Sequence, residues 1–173
     1  MRRRLEGSDK IADPAACRED ALKLIERTRR SRSDLEKRLK DKGHERSTVA
    51  EVLDRLAAVD LVDDTEFARA WLAGRWGRRP SGWRRLQQEL RAKGIADDDI
   101  ERARALLTER GSAPDEVDSA AKLIAQARKR YARLEPRVRQ QRLYALLARH
   151  GYDSDTIRKA LAIRDPLESG VEA

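Results

Sequence analysis

The side chains with the strongest chemical character in this sequence are arginines, and they fall into three clusters. Arg27, Arg29, Arg30 and Arg32 form the first. Arg75, Arg78, Arg79, Arg84 and Arg85 form the second. Arg128, Lys129, Arg130, Arg133, Arg137 and Arg139 form the third, with Glu135 the only acid among them. A guanidinium fork hydrogen-bonds two phosphate oxygens at once, so several placed together at a turn suit a polyanion. Trp76 and Trp83 flank the second cluster. Indoles interleaved with arginine can stack on unpaired bases. Trp76 is the candidate for that exposed role, whereas Trp83 is expected to anchor a helix and Trp71, in phase with Phe67, to be core. The same arginines would equally pair with acidic patches on a protein, and the sequence leaves both partners open.

Other titratable groups point away from catalysis. Asp63-Asp64 and Asp97-Asp98-Asp99 precede apolar helical patterns, where carboxylates cap orphan N–H groups. His44 and His150 have no partner at metal-ligand spacing and are expected at the surface near helix ends. Cys17, the single cysteine, sits on a helical apolar stripe as a small buried residue and excludes an internal disulfide. Neither a phosphate-binding glycine loop nor a nucleophile elbow is present. The expectation is a non-enzyme with no catalytic, metal or cofactor site.

Composition supports a polyanion binder. The 173 residues carry a net charge of +8, with 40% charged, 39% hydrophobic and 4% aromatic side chains. Such a thin apolar content suits many amphipathic helices better than one deep core. No stretch approaches the about 20 apolar residues of a membrane span, and Met1-Arg2-Arg3-Arg4-Leu5-Glu6 lacks the apolar run of a secretory signal. A cytoplasmic protein is expected.

The elements that position these clusters follow a repeat. Leu35-x-x-x-Leu39-x-x-x-Gly43 recurs as Leu86-x-x-x-Leu90-x-x-x-Gly94 and as Leu143-x-x-x-Leu147-x-x-x-Gly151, the glycines 51 and then 57 residues apart. Leucines four apart share one helical face, and the glycine fits the left-handed position that ends a helix. An apolar residue follows each copy: Val49, Ile100 and Ile157. The pattern predicts an all-α chain of tandem three-helix repeats, about nine helices, in an elongated or curved arrangement with neighbouring modules packed on each other. The expected organisation is a flexible basic arm over 1–14, repeats over 15–60, 61–110 and 111–163, and a flexible acidic tail over 164–173.

Within that frame helix one covers about 15–29, and a capping box Ser33-x-x-Glu36 is expected to start helix two. Asp63 and Glu66 form a second capping box, with Val62 and Phe67 as its hydrophobic staple. Phe67, Ala70, Trp71 and Gly74 are expected to mark the buried side of helix four. Pro136 fits the first position of helix eight. All three basic clusters then lie where the first helix of a repeat turns into its second, a registration that uniform surface charging would not produce.

Taken in order, Ala21-Leu22-x-Leu24, Arg29-Arg30-Ser31-Arg32-Ser33-Asp34-Leu35, Gly43, Leu61-Val62-Asp63-Asp64-x-x-Phe67-Ala68 and Glu89-Leu90-x-x-Lys93-Gly94-Ile95 resemble the RecX regulatory proteins. The likeness covers about residues 15–163. It departs from the pattern in the third repeat, where His150 stands in place of Lys42 and Lys93, and in a loop richer in Arg, Gly and Trp. The resemblance implies tandem three-helix repeats that bind the RecA recombinase and its filament on single-stranded DNA. It also implies restraint of the recombinase's ATPase, strand-exchange and coprotease activities. Partners on this reading are the recombinase filament and single-stranded, with double-stranded, DNA; no membrane is involved and the protein is a monomer. Two alternatives stay open: a helix-turn-helix DNA-binding protein and a purely protein-binding helical repeat.

Overall fold

The computed structural model describes residues 12–76 and 78–164, so the arm and the tail expected at the two ends lie almost wholly outside the described residues. Among the described residues there are nine α-helices and no strand. Module 1 comprises α1 (Pro14–Arg27), α2 (Arg32–Asp41) and α3 (Arg46–Ala57). Module 2 comprises α4 (Asp64–Arg75), α5 (Trp83–Arg91) and α6 (Asp97–Glu109). Module 3 comprises α7 (Glu116–Tyr131), α8 (Pro136–Arg149) and α9 (Ser154–Arg164).

Close helix packing falls within modules, first helix on third most closely in modules 2 and 3. Each module therefore has its own apolar centre. Leu35, Leu39, Val49, Leu53 and Cys17 fill the first; Leu72, Leu86, Leu90 and Ile100 the second; Ile124, Leu143, Leu147 and Ile157 the third. The paired leucines of the frame are all fully buried, each contributing about 1.5–3 kcal/mol of transfer free energy.

Several local expectations are corrected. The cap of α2 is Ser31, whose hydroxyl accepts from the Asp34 amide at 3.2 Å; Ser33 lies two residues further on, already inside the helix. Asp63 does cap α4, accepting from the Glu66 amide at 2.9 Å. Val62 does not staple to Phe67: it packs into the core of module 1, while Phe67 lies against the core of module 2. The buried side of α4 is Ala68 and Leu72, with Phe67 and Trp71 half-buried beside them and Gly74 exposed. The helix packs against α6 with Ala68 and Leu72 inward, one residue round from the aromatic stripe. His44 is buried rather than at the surface, only 4% exposed, with Nε2 at 3.0 Å from Asp20 Oδ2. It occupies the place of Ile95 and Tyr152, the buried residues after the other two glycines.

Modules join end to end through their second helices. Ser31 at the start of α2 donates its hydroxyl to the Lys93 carbonyl at 2.9 Å, and the Arg32 amide donates to Asp64 Oδ1 at 2.8 Å. One module on, the Gly82 amide donates to the His150 carbonyl at 2.9 Å and the Trp83 amide to Glu116 Oε2 at 3.3 Å. Corresponding residues perform corresponding tasks. The start of each second helix sits on the glycine turn of the next module, and its first amide is taken by a carboxylate at the first position of that module's first helix. Those amides have no partner within their own helix. Asp64 and Glu116 thus serve the joints between modules, a use that capping alone did not anticipate. Burial pushes both carboxyls above their ordinary values, against the lowering effect of the amides they accept.

Candidate polyanion interface

The three cationic clusters occupy the α1–α2 turn, the α4–α5 loop and the α7–α8 turn, but the fold uses them differently. The first is largely spent on carboxylates. Arg29 pairs with Glu66 across the first joint, Arg30 with Asp34 at 2.8 Å, and Arg32 with Asp54 at 2.6 Å; Arg27 is exposed. Glu66 is held at about 2, chiefly by hydrogen bonding to Arg69, with partial burial opposing and Arg29 adding to the effect. Burial alone would raise the Asp34 carboxyl, yet Arg38 and Arg30 together hold it low.

The second cluster is divided. Arg75 forms a two-pronged pair with Glu89 at 3.0 and 2.8 Å, and Arg85 reaches the same carboxylate at 3.2 Å. Those two guanidiniums, Arg75 foremost, draw Glu89 below its usual value. Arg78, Arg79 and Arg84 are exposed and have no ion pair among the described residues. Trp76 does not stand among them as a stacking platform. It is 5% exposed, its ring tilted against Trp83 with centroids 5.5 Å apart in the core of module 2. Trp83 is buried as expected, and the Arg104 guanidinium lies 4.4 Å above its ring centroid.

The third cluster sits where module 3 outgrows the repeat. Counting back from the frame leucines, α8 starts one turn earlier than α2 and α5 do; α7 has 16 residues against 12 in α4. No residue from 125 to 142 is buried. Lys129, Arg133 and Arg137 are exposed without ion pairs among the described residues, Arg130 lies over the Tyr131 ring at 5.8 Å, and Arg128 and Arg139 have interactions within the chain. The α7–α8 turn is therefore a cationic projection beyond the apolar centre of its module.

Two cations outside the three basic clusters are Lys37, not singled out from the sequence, and Lys93, which entered there only as part of a motif. They line an open groove of about 430 Å³ at the first joint together with Arg29, Arg30, Ser33 and Phe67. They are 56 residues apart, and only the end-to-end docking of α2 on α5 unites them. Of the third helices, where a helix-turn-helix protein carries its reader, two begin with acids: Asp97, Asp98 and Asp99 lie in the first turn of α6 and Asp155 in that of α9, whereas α3 starts at Arg46 with no acid in its first turn. Among the described residues no cluster of His, Cys, Asp and Glu could hold a metal ion, and no helix is long and apolar enough to cross a membrane.

Comparison with known proteins follows the same division into modules. Profiles described as the first, second and third three-helix domains of RecX match residues 17–56, 63–103 and 114–161. The chain belongs to the RecX family. It is 38% identical over 136 residues to the regulatory protein RecX of Mycobacterium tuberculosis, covering 76% of this chain and 75% of that one. It is 35% identical over 133 residues to that of Prosthecochloris aestuarii, covering 76% and 82%. The crystal structure of RecX from Lactobacillus salivarius superposes with a TM-score of 0.78 over 89% of this chain and 97% of that one; at 21% identity this concerns the fold. A crystal structure of a regulatory protein RecX superposes at 0.73 with 26% identity, covering 84% and 71%. The expected RecX resemblance and the all-α architecture of tandem three-helix domains are thereby established.

Proposed function

We propose that this RecX-family protein binds the RecA recombinase filament on single-stranded DNA and restrains its ATPase, strand-exchange and coprotease activities. The observation that carries the proposal is the serial joining of modules through equivalent contacts, with cations left over at the α4–α5 and α7–α8 stations. A line of three modules held by their second helices suits a partner that is itself long. Arg78, Arg79, Arg84, Lys129, Arg133 and Arg137 provide forks and ammoniums for phosphates or for acidic protein surface, and a nucleoprotein filament offers both.

On this reading the protein lies along a filament groove and spans successive recombinase protomers. It obstructs incoming DNA and the relative movement of subunits that ATP turnover requires. The acidic starts of α6 and α9 disfavour insertion of those two helices into a DNA groove, which leaves the helix-turn-helix alternative only α3 as a reader without acids in its first turn. Titration of the purified protein into recombinase on single-stranded DNA tests the proposal. ATP hydrolysis is expected to fall at amounts well below one regulator per recombinase; unchanged hydrolysis at saturation would overturn it.

A further inference from the structure

The groove at the first joint combines two features that no residue pattern announces. Its cations come from both modules: Lys37 from the outer face of α2, Lys93 from the turn that ends α5. Both lysines are exposed and have no ion pair among the described residues, unlike Arg29 and Arg30 in the same lining. The one carboxylate in the lining, Asp34, is already engaged by Arg30 and by Arg38 at 2.8 Å each. The Ser33 hydroxyl, half a turn from Ser31, adds a neutral donor without a partner among the described residues.

We propose that this groove between modules 1 and 2 seats a phosphodiester of a single DNA strand, held by Lys37 of module 1 and Lys93 of module 2. The inference rests on the filament-binding reading and adds a specific ligand site to it. A phosphodiester shares its charge between two oxygens that face apart, so two ammoniums from different modules lining one groove can each take one. The groove is open to solvent, so a strand can reach it from outside. Because the two lysines belong to different modules, the bound phosphate also ties the first joint together.

The test uses the full-length protein with Lys37→Gln and Lys93→Gln combined, and oligothymidine as probe. A control carries Lys23→Gln and Lys122→Gln, lysines paired with Glu19 and Asp118 on outer helix faces. Unchanged helicity and melting establish that both variants fold. Affinity for the oligonucleotide should fall about tenfold in the groove variant, and the slope of log affinity against log salt should shrink by about 0.7, one phosphate's share; the control should match the parent protein. If the groove variant keeps its oligonucleotide affinity and slope but loses restraint of recombinase ATP hydrolysis, the groove meets protein carboxylates and the phosphate seat is overturned. If both are kept, the seat is likewise overturned while the filament-binding reading stands. Failure of the parent protein itself to restrain the filament defeats that reading instead.

Discussion

Gly82 and Gly151 meet backbone against backbone: a Cβ on Gly82 would lie 2.4 Å from the carbonyl carbon and oxygen of Gly151. The contact closes the second joint, where the Gly82 amide donates to His150 and the Arg84 amide to Gly151. Gly82 has φ −77°, an angle open to any residue, so its requirement for glycine is one of space alone. Gly43 is the converse: its φ is +98°, and a Cβ there would meet nothing within 4 Å among the described residues.

The two glycines therefore separate crowding from backbone strain. Gly43→Ala should cost roughly 1–2 kcal/mol, the penalty of a left-handed non-glycine residue, with one cooperative transition kept. Gly82→Ala should cost about 1–3 kcal/mol by forcing the helices apart. Because modules 2 and 3 have separate apolar centres, its urea transition should also broaden as module 3 comes undocked. Equal effects on midpoint and on steepness would contradict this account of the joint.

At Asp64 a charge is held in a place that disfavours it. Its carboxyl titrates above the unfolded value, so the folded chain binds the proton more tightly, and stability falls as pH rises from about 4 through the raised value. Asp64→Asn keeps an acceptor for the Arg32 amide without the charge. It should be neutral or stabilising at pH 7 and should flatten that part of the stability profile. Asp64→Ala leaves the amide unpaired and should cost about 1–3 kcal/mol. Thermal melts of both variants between pH 4 and 7 decide the matter.

Glu66 has the opposite sign. Held at about 2 by Arg69 and Arg29, it contributes stability above its unfolded value near 4.3 that is lost as pH falls toward 2. Its side chain is 38% exposed, so solvent screening limits the effect. Glu66→Gln should cost less than about 1 kcal/mol at neutral pH and progressively less as pH falls toward 2, measured by chemical denaturation.

Trp76 carries a buried Nε1 with no hydrogen-bond partner among the described residues. Trp76→Phe removes that unpaired donor and should cost less than about 1.5 kcal/mol, whereas Trp76→Ala should cost about 3–5 kcal/mol. Neither should alter the salt slope of DNA binding, since the ring faces Trp83 rather than a base.

The repeat itself was legible because its signals are local. Leu86, Leu90 and Gly94 announce a helix and its end within nine residues, and Asp63 and Pro136 mark helix starts without outside help. What could not be read depends on docking. Ser31 displaces Ser33 as the cap because its hydroxyl also reaches Lys93, 62 residues away. Burial of His44 follows from its place after Gly43, a position whose counterparts Ile95 and Tyr152 are plainly apolar. The basic clusters were visible as residues, but their division into paired and unpaired cations was not. That division depends on Glu66, Asp54 and Glu89, which approach only in the folded chain.

The central claim is that the line of modules lies along a recombinase filament and touches successive protomers. Lysine-directed cross-linking of the full-length protein to recombinase filaments on single-stranded DNA tests it most directly. Lys37, Lys93 and Lys129 are expected to link to the filament, with links from one regulator reaching two neighbouring protomers, while Lys23 on the outer face of α1 links little. Links confined to unassembled recombinase, or centred on Lys23 with none from Lys93 and Lys129, would contradict the account.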